Sequence, residues 1–556
     1  MSEHAGHRLL RHLHRRGIDS LYFTAGSDFA PLVHAYAQGG EDLPQPVACL
    51  DENVTVGMAH GRASASGRPQ VAMVHVTVGT AKALCGLMNA AHDRTPLVLL
   101  AGRNPVTQQG TAASRSMYIH WSQEMFDQGG MVREFVKWDY ELRDASQVEE
   151  ALDRALAIAM TEPRGPVYLT LPREVLAGTT PAYGEPATEL AIPASSAPDA
   201  DTVARVASLV AAARCPVVVA SDVGLHPGDR EALARFADDA VVGVVESNRA
   251  LTSNLDASHA KHLGFDVAPA LAQADLLIVC GAVAPWIPSL QGPRPGCRVV
   301  HVGPDPLFSR VPFRHFPADV LVASGYRQFF DALARELQAQ QRDTAAERGH
   351  HLGRLRDAWL KSAAAKREKA QQQRSITKAS ASAALQQAMP AQTVLVNEYW
   401  VDRDLAGAQG HGSYFYQSPA GGLGWGVPAA LGVRAAQPQR HVVAAVGDGA
   451  YVFANPAACH HAASAHGLPI LIAVYNNGRW AAVESSARQV YPDLETRPQP
   501  LPLSGFGDLP DFAAYARASG GHGETVSDAR ELRPALERCF AAIEGGRHAL
   551  INMLGS

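Results

Sequence analysis

Cysteine is scarce in this chain: there are 7 in 556 residues, and none forms a CxxC pair. An odd number cannot close a complete disulfide framework, so a reduced, cytoplasmic setting is the economical expectation. Long apolar runs are missing too, and none approaches the length of a membrane span. The basic opening MSEHAGHRLLRHLHRRG has no apolar core behind it, so it reads as a helix and not as a secretory signal. Positive charge is not concentrated anywhere. With a formal net charge of −5 and no dense Lys/Arg stripe, the chain is not expected to bind nucleic acid.

The sequence does contain short apolar runs alternating with Ala-rich helical stretches. That alternation predicts an α/β protein built from doubly wound parallel sheets, and the length suits about three domains. The first block, 1–180, offers SLYFT (20–24), QVAMVHV (70–76), PLVLLA (96–101) and PVYLTL (166–171) as strands. A Pro/Ala/Ser/Thr-rich stretch, 179–200, reads as a linker. The second block, 200–337, carries PVVVAS (216–221), ADLLIVCG (274–281) and CRVVHVG (297–303). A charged segment, 337–375, is expected to be an exposed helical connector. The third block, 376–556, ends on the strand ALINML, 549–554.

Chemistry concentrates in the third block. The run HVVAAV (441–446) leads into Gly447-Asp448-Gly449-Ala450, and LPILIAVY (468–475) leads into Asn476-Asn477-Gly478. Neighbouring parallel strands share a rim at their carboxyl ends, where ligands bind. One carboxylate, one amide oxygen and one loop carbonyl make a hard-oxygen set. It suits Mg²⁺ or Ca²⁺ completed by phosphate oxygens, and it does not suit zinc.

Three further features join this pair. They are the turn Gly421-Gly422-Leu423-Gly424 within SPAGGLGWGVPAALG, the upstream acid Glu52 in CLDENVTVGMAHG, and His75, 23 residues after Glu52. Together they resemble the thiamine-diphosphate enzymes of the benzoylformate decarboxylase and acetolactate synthase kind, over essentially the whole chain. The resemblance implies a pyrimidine-binding domain (1–180), a Rossmann-like central domain (200–337) and a diphosphate-binding domain (376–556). It implies thiamine diphosphate with Mg²⁺ or Ca²⁺ as cofactors. Asp448, Asn477 and the Arg479 carbonyl would hold the metal, with Gly447, Gly449 and Ala450 lining the diphosphate. Glu52 would exchange a proton with the pyrimidine ring, Leu423 would wedge the cofactor into its bent form, and the Gly421 carbonyl would accept from the pyrimidine amine.

On the substrate side, the resemblance assigns proton shuttling to His75 and contact with a substrate carboxylate to Ser27. Gln123 would lie at the substrate entrance beside His120 and Trp121. Tyr399, Trp400, Trp480 and Val483 are further candidates for the substrate side. The implied activity is non-oxidative decarboxylation of a benzoylformate-like 2-oxo acid, with or without carboligation. The alternatives are an acetolactate-synthase-like carboligase, a lyase acting on a 2-hydroxyacyl thioester, and a non-catalytic regulatory subunit. The expected assembly is a homodimer or homotetramer with sites between subunits.

The chain also departs from its relatives. Lys82 stands where many of them have asparagine. Val483 replaces a glutamate of the pyruvate-type decarboxylases, and their paired histidine in the first domain is missing. The strand end Gly281-Ala282-Val283-Ala284-Pro285-Trp286 lacks the charged motif of flavin-binding synthases, so FAD is not expected.

Overall fold

The apolar runs of the first block become the inner strands of a parallel sheet. In the computed structural model, which describes residues 2–181, 190–247, 249–338, 345–407 and 410–555, the strand order is Gln45–Ala48, Ser20–Phe23, Gln70–Val74, Leu97–Arg103, Val167–Pro172, Asp139–Glu141. All these neighbours run parallel, with Leu21 opposite Val71, Val71 opposite Val98 and Val98 opposite Val167. Gln70–Val74 is buried at every position. A strand covered by helices on both faces needs a continuous apolar run instead of alternation, and this sequence supplies one. The edge strands Gln45–Ala48 and Asp139–Glu141 are more exposed.

Three parallel sheets are present among the described residues, two of six strands and one of five. The residues form two compact units. The first comprises Met1–Pro193, Gln417–Thr525 and Cys539–Asn552. Beside the sheet just described it holds Val442–Gly447 and Leu471–Asn476, parallel and in register so that Gly447 lies opposite Tyr475. This register sets the two strand ends side by side. Within the same unit, helix Glu52–Ser66 packs on helix Gly426–Ala436 at glycine distances. A Cβ on Gly61 would stand 2.0 Å from the Ala429 carbonyl oxygen, and one on Gly432 would stand 1.9 Å from that of Met58. Only glycine permits that approach.

The second unit comprises Ala194–Tyr416, Val526–Arg538 and Met553–Ser556. Its five-stranded parallel sheet has the order Gly243–Glu246, Pro216–Ala220, Leu276–Cys280, Arg298–Gly303, Val320–Ala323. Two apolar clusters cover its faces.

The segment 337–375 differs from its expectation. It is helical over Ala345–Gln371, but that helix is docked along one side. Arg348 is buried and donates to the carbonyls of Val210, Ala211, Ala213 and Ala240, at the ends of two neighbouring helices. Terminal helix carbonyls lack intrahelical donors, and a guanidinium offers several in one fork. Residues 339–344 of that segment, and 182–189 of the expected linker, lie outside the described residues.

Candidate active site

Glu52 is the first residue of helix Glu52–Ser66. Asp51 caps that helix, its Oδ1 accepting from the N–H groups of Asn53 at 2.8 Å and Val54 at 3.3 Å. The cap fixes where the Glu52 side chain starts. Its carboxylate is 12 % exposed, with Lys82 Nζ 3.2 Å from Oε2.

Helix Val76–His92 faces this corner. His75 is its N-cap residue and follows the buried strand Gln70–Val74. The Nδ1 of His75 lies 2.5 Å from Asp28 Oδ1. That contact, outweighing partial burial, raises the imidazole above its ordinary range, with Glu52 and Gln123 pushing the same way. The ring therefore holds a proton more strongly than a free histidine does.

Ser27 is half-buried in the turn Ser27–Phe29, next to Asp28. The backbone carbonyl of Gln123 accepts from Thr77 Oγ1 at 3.0 Å, while its Oε1 is buried without a hydrogen bond of normal geometry. Ser27, His75 and Gln123 thus sit around the head of one strand–helix junction. His120 is buried and its pKa is lowered, first by burial and then by Arg173 and Arg115. Trp121 is exposed beneath Arg115.

The paired strand ends of the third block form the second half of the site. Asp448 is buried, and burial pushes its carboxyl up. Its oxygens accept from three backbone N–H groups: Gly449 at 2.8 Å, Asn477 at 2.9 Å and Gly478 at 2.7 Å. The Asn477 side-chain oxygen faces two further oxygens, Asp448 Oδ2 at 3.3 Å and the Arg479 carbonyl at 3.0 Å.

Three oxygens converging with no proton between them need either a turned amide or a cation. Octahedral Mg²⁺, with bonds of about 2.0–2.1 Å, sets adjacent ligand oxygens about 2.9 Å apart. The donor set therefore fits a hard divalent cation. The Gly449 N–H is engaged by Asp448 itself, and a Cβ on Gly449 would meet Trp480 at 2.1 Å.

The Gly421–Gly424 turn is held from the first block. Asn89 Nδ2 donates to the Gly422 carbonyl at 2.9 Å, and Asn89 Oδ1 accepts from the Gly422 N–H at 3.1 Å. Ser418 Oγ donates to the Asn89 carbonyl at 3.1 Å. Gly421 and Gly424 have φ of 70° and 87°, and a Cβ on Gly424 would stand 2.5 Å from the Phe453 backbone. Leu423 is half-buried between them.

Sequence reasoning missed Asp28 and Asn89. Asn89 had a readable signal, because His75, Lys82 and Asn89 recur every 7 residues on one Ala-rich helix, about two turns apart. Val483 is exposed, whereas Tyr399 and Trp400 belong to the second unit. His460 is fully buried, pushed down to about 3 by burial, and bonded to Tyr451 Oη at 2.8 Å. In the central sheet, Arg314 donates to the carbonyls of Ala282 and Val283, at the strand end where a flavin motif was absent.

The fold thus carries a convergent oxygen set at one corner and Glu52, paired with Lys82, at the other. The chain matches the family described as thiamine pyrophosphate enzyme, through its N-terminal TPP binding domain over residues 3–131 and its C-terminal TPP binding domain over residues 398–553. It belongs to the thiamine-diphosphate enzymes, among the relatives of benzoylformate decarboxylase and acetolactate synthase.

A benzoylformate decarboxylase of Pseudomonas aeruginosa is 28% identical over 562 residues, 95% of each chain. An acetolactate synthase large subunit of Mycobacterium tuberculosis is 25% identical over 575 residues, 99% of this chain and 95% of that one. Among solved structures, the thiamine diphosphate-dependent 4-hydroxybenzoylformate decarboxylase of Rhodococcus jostii RHA1 has the same fold. Its TM-score is 0.79 at 20% identity, over 99% of this chain and 98% of that chain. Among the described residues no helix is long and apolar enough to cross a membrane.

Proposed function

We propose that the chain decarboxylates a benzoylformate-like 2-oxo acid without oxidation, in a homodimer or homotetramer whose sites lie between subunits. The observation that carries this reading is His75, set on Asp28 at 2.5 Å and held toward its protonated form within the field of Glu52. Bound thiamine diphosphate supplies a carbon nucleophile and an electron sink.

The residues supply the rest. Asp448, Asn477 and the Arg479 carbonyl would hold the cation and, through it, the diphosphate. Glu52 would hold the pyrimidine ring and carry the proton it exchanges. Leu423 and the Gly421 carbonyl would help hold the cofactor. An imidazolium at His75 attracts the substrate carboxylate and then gives its Nε2 proton where carbon dioxide has left. Ser27, in the adjoining turn, hydrogen-bonds that carboxylate.

One observation favours a second reading, a carboligase of the acetolactate synthase kind: the Gln123 side chain, with its Oε1 buried, acts on His75. Metal-stripped protein is titrated calorimetrically with thiamine diphosphate and Mg²⁺, then assayed for carbon dioxide from a panel of 2-oxo acids. Metal-dependent binding with release from benzoylformate and not from pyruvate is expected. A two-pyruvate product would transfer the assignment to the carboligase, and binding without release from any acid would refute the decarboxylase.

A further inference from the structure

Lys82 is the charge that the activity just proposed does not use, and its surroundings are specific. On helix Val76–His92 it stands between Gly79 and Gly86, one stripe at spacings of three and four residues. Gly86 presses against the Glu52 helix, and Gly79 lies within ordinary contact of the Glu52 side chain. A Cβ on Gly79 would be 3.5 Å from Glu52 Oε1, and one on Gly86 would be 2.9 Å from Val56 Cγ1. The Gly86 N–H reaches Asn53 Oδ1 at 3.3 Å. The two helices are therefore locked together at Gly86, one turn beyond the lysine.

Beside that lock, Lys82 Nζ lies 2.9 Å from Asp51 Oδ2 and 3.2 Å from Glu52 Oε2. Asn455 Nδ2 donates to the same Asp51 oxygen at 3.0 Å. Asp51 thus has every oxygen assigned, with Oδ1 capping the helix and Oδ2 gripping Lys82 and Asn455.

We propose that Lys82 is a positioning residue for Glu52, an ammonium fixed by Asp51 that in turn fixes where the Glu52 carboxylate points. The inference rests on the cofactor role given to Glu52 above. An ammonium is a compact point charge that keeps its effect only where its stem is held, and Asp51 and Asn455 supply the hold. The bond to Asp51, and then the charges of Asp51 and Glu52, raise Lys82 above its ordinary range, so it stays charged at working pH. The charged groups bearing on Glu52 are Lys82 and His75, with Asp51 behind the first and Asp28 behind the second. Each of these two groups is anchored by its own aspartate, and a neutral asparagine at 82 would remove the cation in direct contact with Glu52.

The test is hydrogen exchange at C2 of bound thiamine diphosphate, followed by NMR across pH, in wild type, Lys82→Met, Lys82→Arg, Glu52→Gln and the Lys82→Met/Glu52→Gln double variant. Lys82→Met should slow exchange about threefold to fivefold, the worth of a half-exposed ion pair. Lys82→Arg should restore the wild-type rate, because it returns a cation to the Asp51–Glu52 pair. In the Glu52→Gln background, Lys82→Met should change little.

A wild-type profile in Lys82→Met would overturn the proposal, as would an undiminished effect when Glu52 is already gone. If wild type takes up no thiamine diphosphate, the functional reading fails and not this one. The same four-protein cycle is then read as melting temperatures of the unloaded chain. Losses that do not add support the pairing, and additive losses refute it.

Discussion

Replacing Asp448 by asparagine keeps the size of the side chain and removes its charge, which separates the job its contacts show from the one proposed for it. The first is to brace the turn. Its two oxygens share three backbone N–H groups, from Gly449, Asn477 and Gly478 at 2.7–2.9 Å. An amide has one acceptor oxygen, so at least one of these buried donors is orphaned, at a cost of about 1–3 kcal/mol. The unloaded variant should melt lower by a few degrees and still fold.

The second job is to meet the cation. Loss of groups that merely support metal ligands costs about 10–100-fold in affinity, so loss of an anionic ligand should cost about 100-fold or more, near 2.7 kcal/mol. Calorimetric titration with thiamine diphosphate, with and without Mg²⁺, measures the second effect directly, and the melting curve measures the first. Asn477→Ala provides a parallel loss in the same corner. If Asp448→Asn melts lower yet binds the metal–cofactor pair within about threefold of wild type, Asp448 only braces the turn and the three-oxygen assignment is wrong.

Arg403→Met should destabilise the second unit by about 3–5 kcal/mol in chemical denaturation, because it strands a fully buried Glu246 that now sits 2.8 Å from the guanidinium. Burial pushes Glu246 up, but Arg403 and His262 outweigh it and bring the carboxyl down to about 2. That contribution should be full above the ordinary glutamate range and vanish as pH falls toward 2, so the variant's deficit should close in acid. Asp28→Asn should lower the His75 titration midpoint, read by NMR of the ring. The stability that the pair contributes is present below the unfolded imidazole value of about 6.5 and lost as pH rises through the raised folded value. An unmoved midpoint would refute the Asp28 assignment. Gly424→Ala should cost about 1–3 kcal/mol, since φ is 87° and the added Cβ would meet the Phe453 backbone at 2.5 Å; weakened cofactor binding should accompany it as Leu423 shifts.

The inner strands were legible because burial on both faces demands unbroken apolar runs such as QVAMV and LIAVY. The edge strands Gln45–Ala48 and Asp139–Glu141 were not, because short mixed stretches carry no such demand. The contiguous motifs were placed in the sequence in the same way. Gly447–Ala450 and Asn476–Arg479 are local signals, and strand register alone brings them together. The docked face of the helix Ala345–Gln371 was hidden for the opposite reason. Arg348 looks like a solvated charge until the neighbouring helix ends, far away in sequence, present their carbonyls to it.

What sequence spacing could not deliver were the charges that act on other charges. Asp28 meets His75 across 47 residues, and Lys82 meets Glu52 from another helix. Neither pair has a fixed spacing to search for, and each exists only once two elements are packed in one register. On the proposed reading, the motif residues are constrained by what they must do to the cofactor. The residues that tune them need only reach the same few ångströms, and many positions can do so. Differences in chemistry among proteins sharing Glu52, Asp448 and Asn477 should therefore reside in side chains such as Asp28 and Lys82. Exchanging Lys82 for asparagine tests that argument more directly than exchanging any motif residue, because it changes the field on Glu52 while leaving every motif in place.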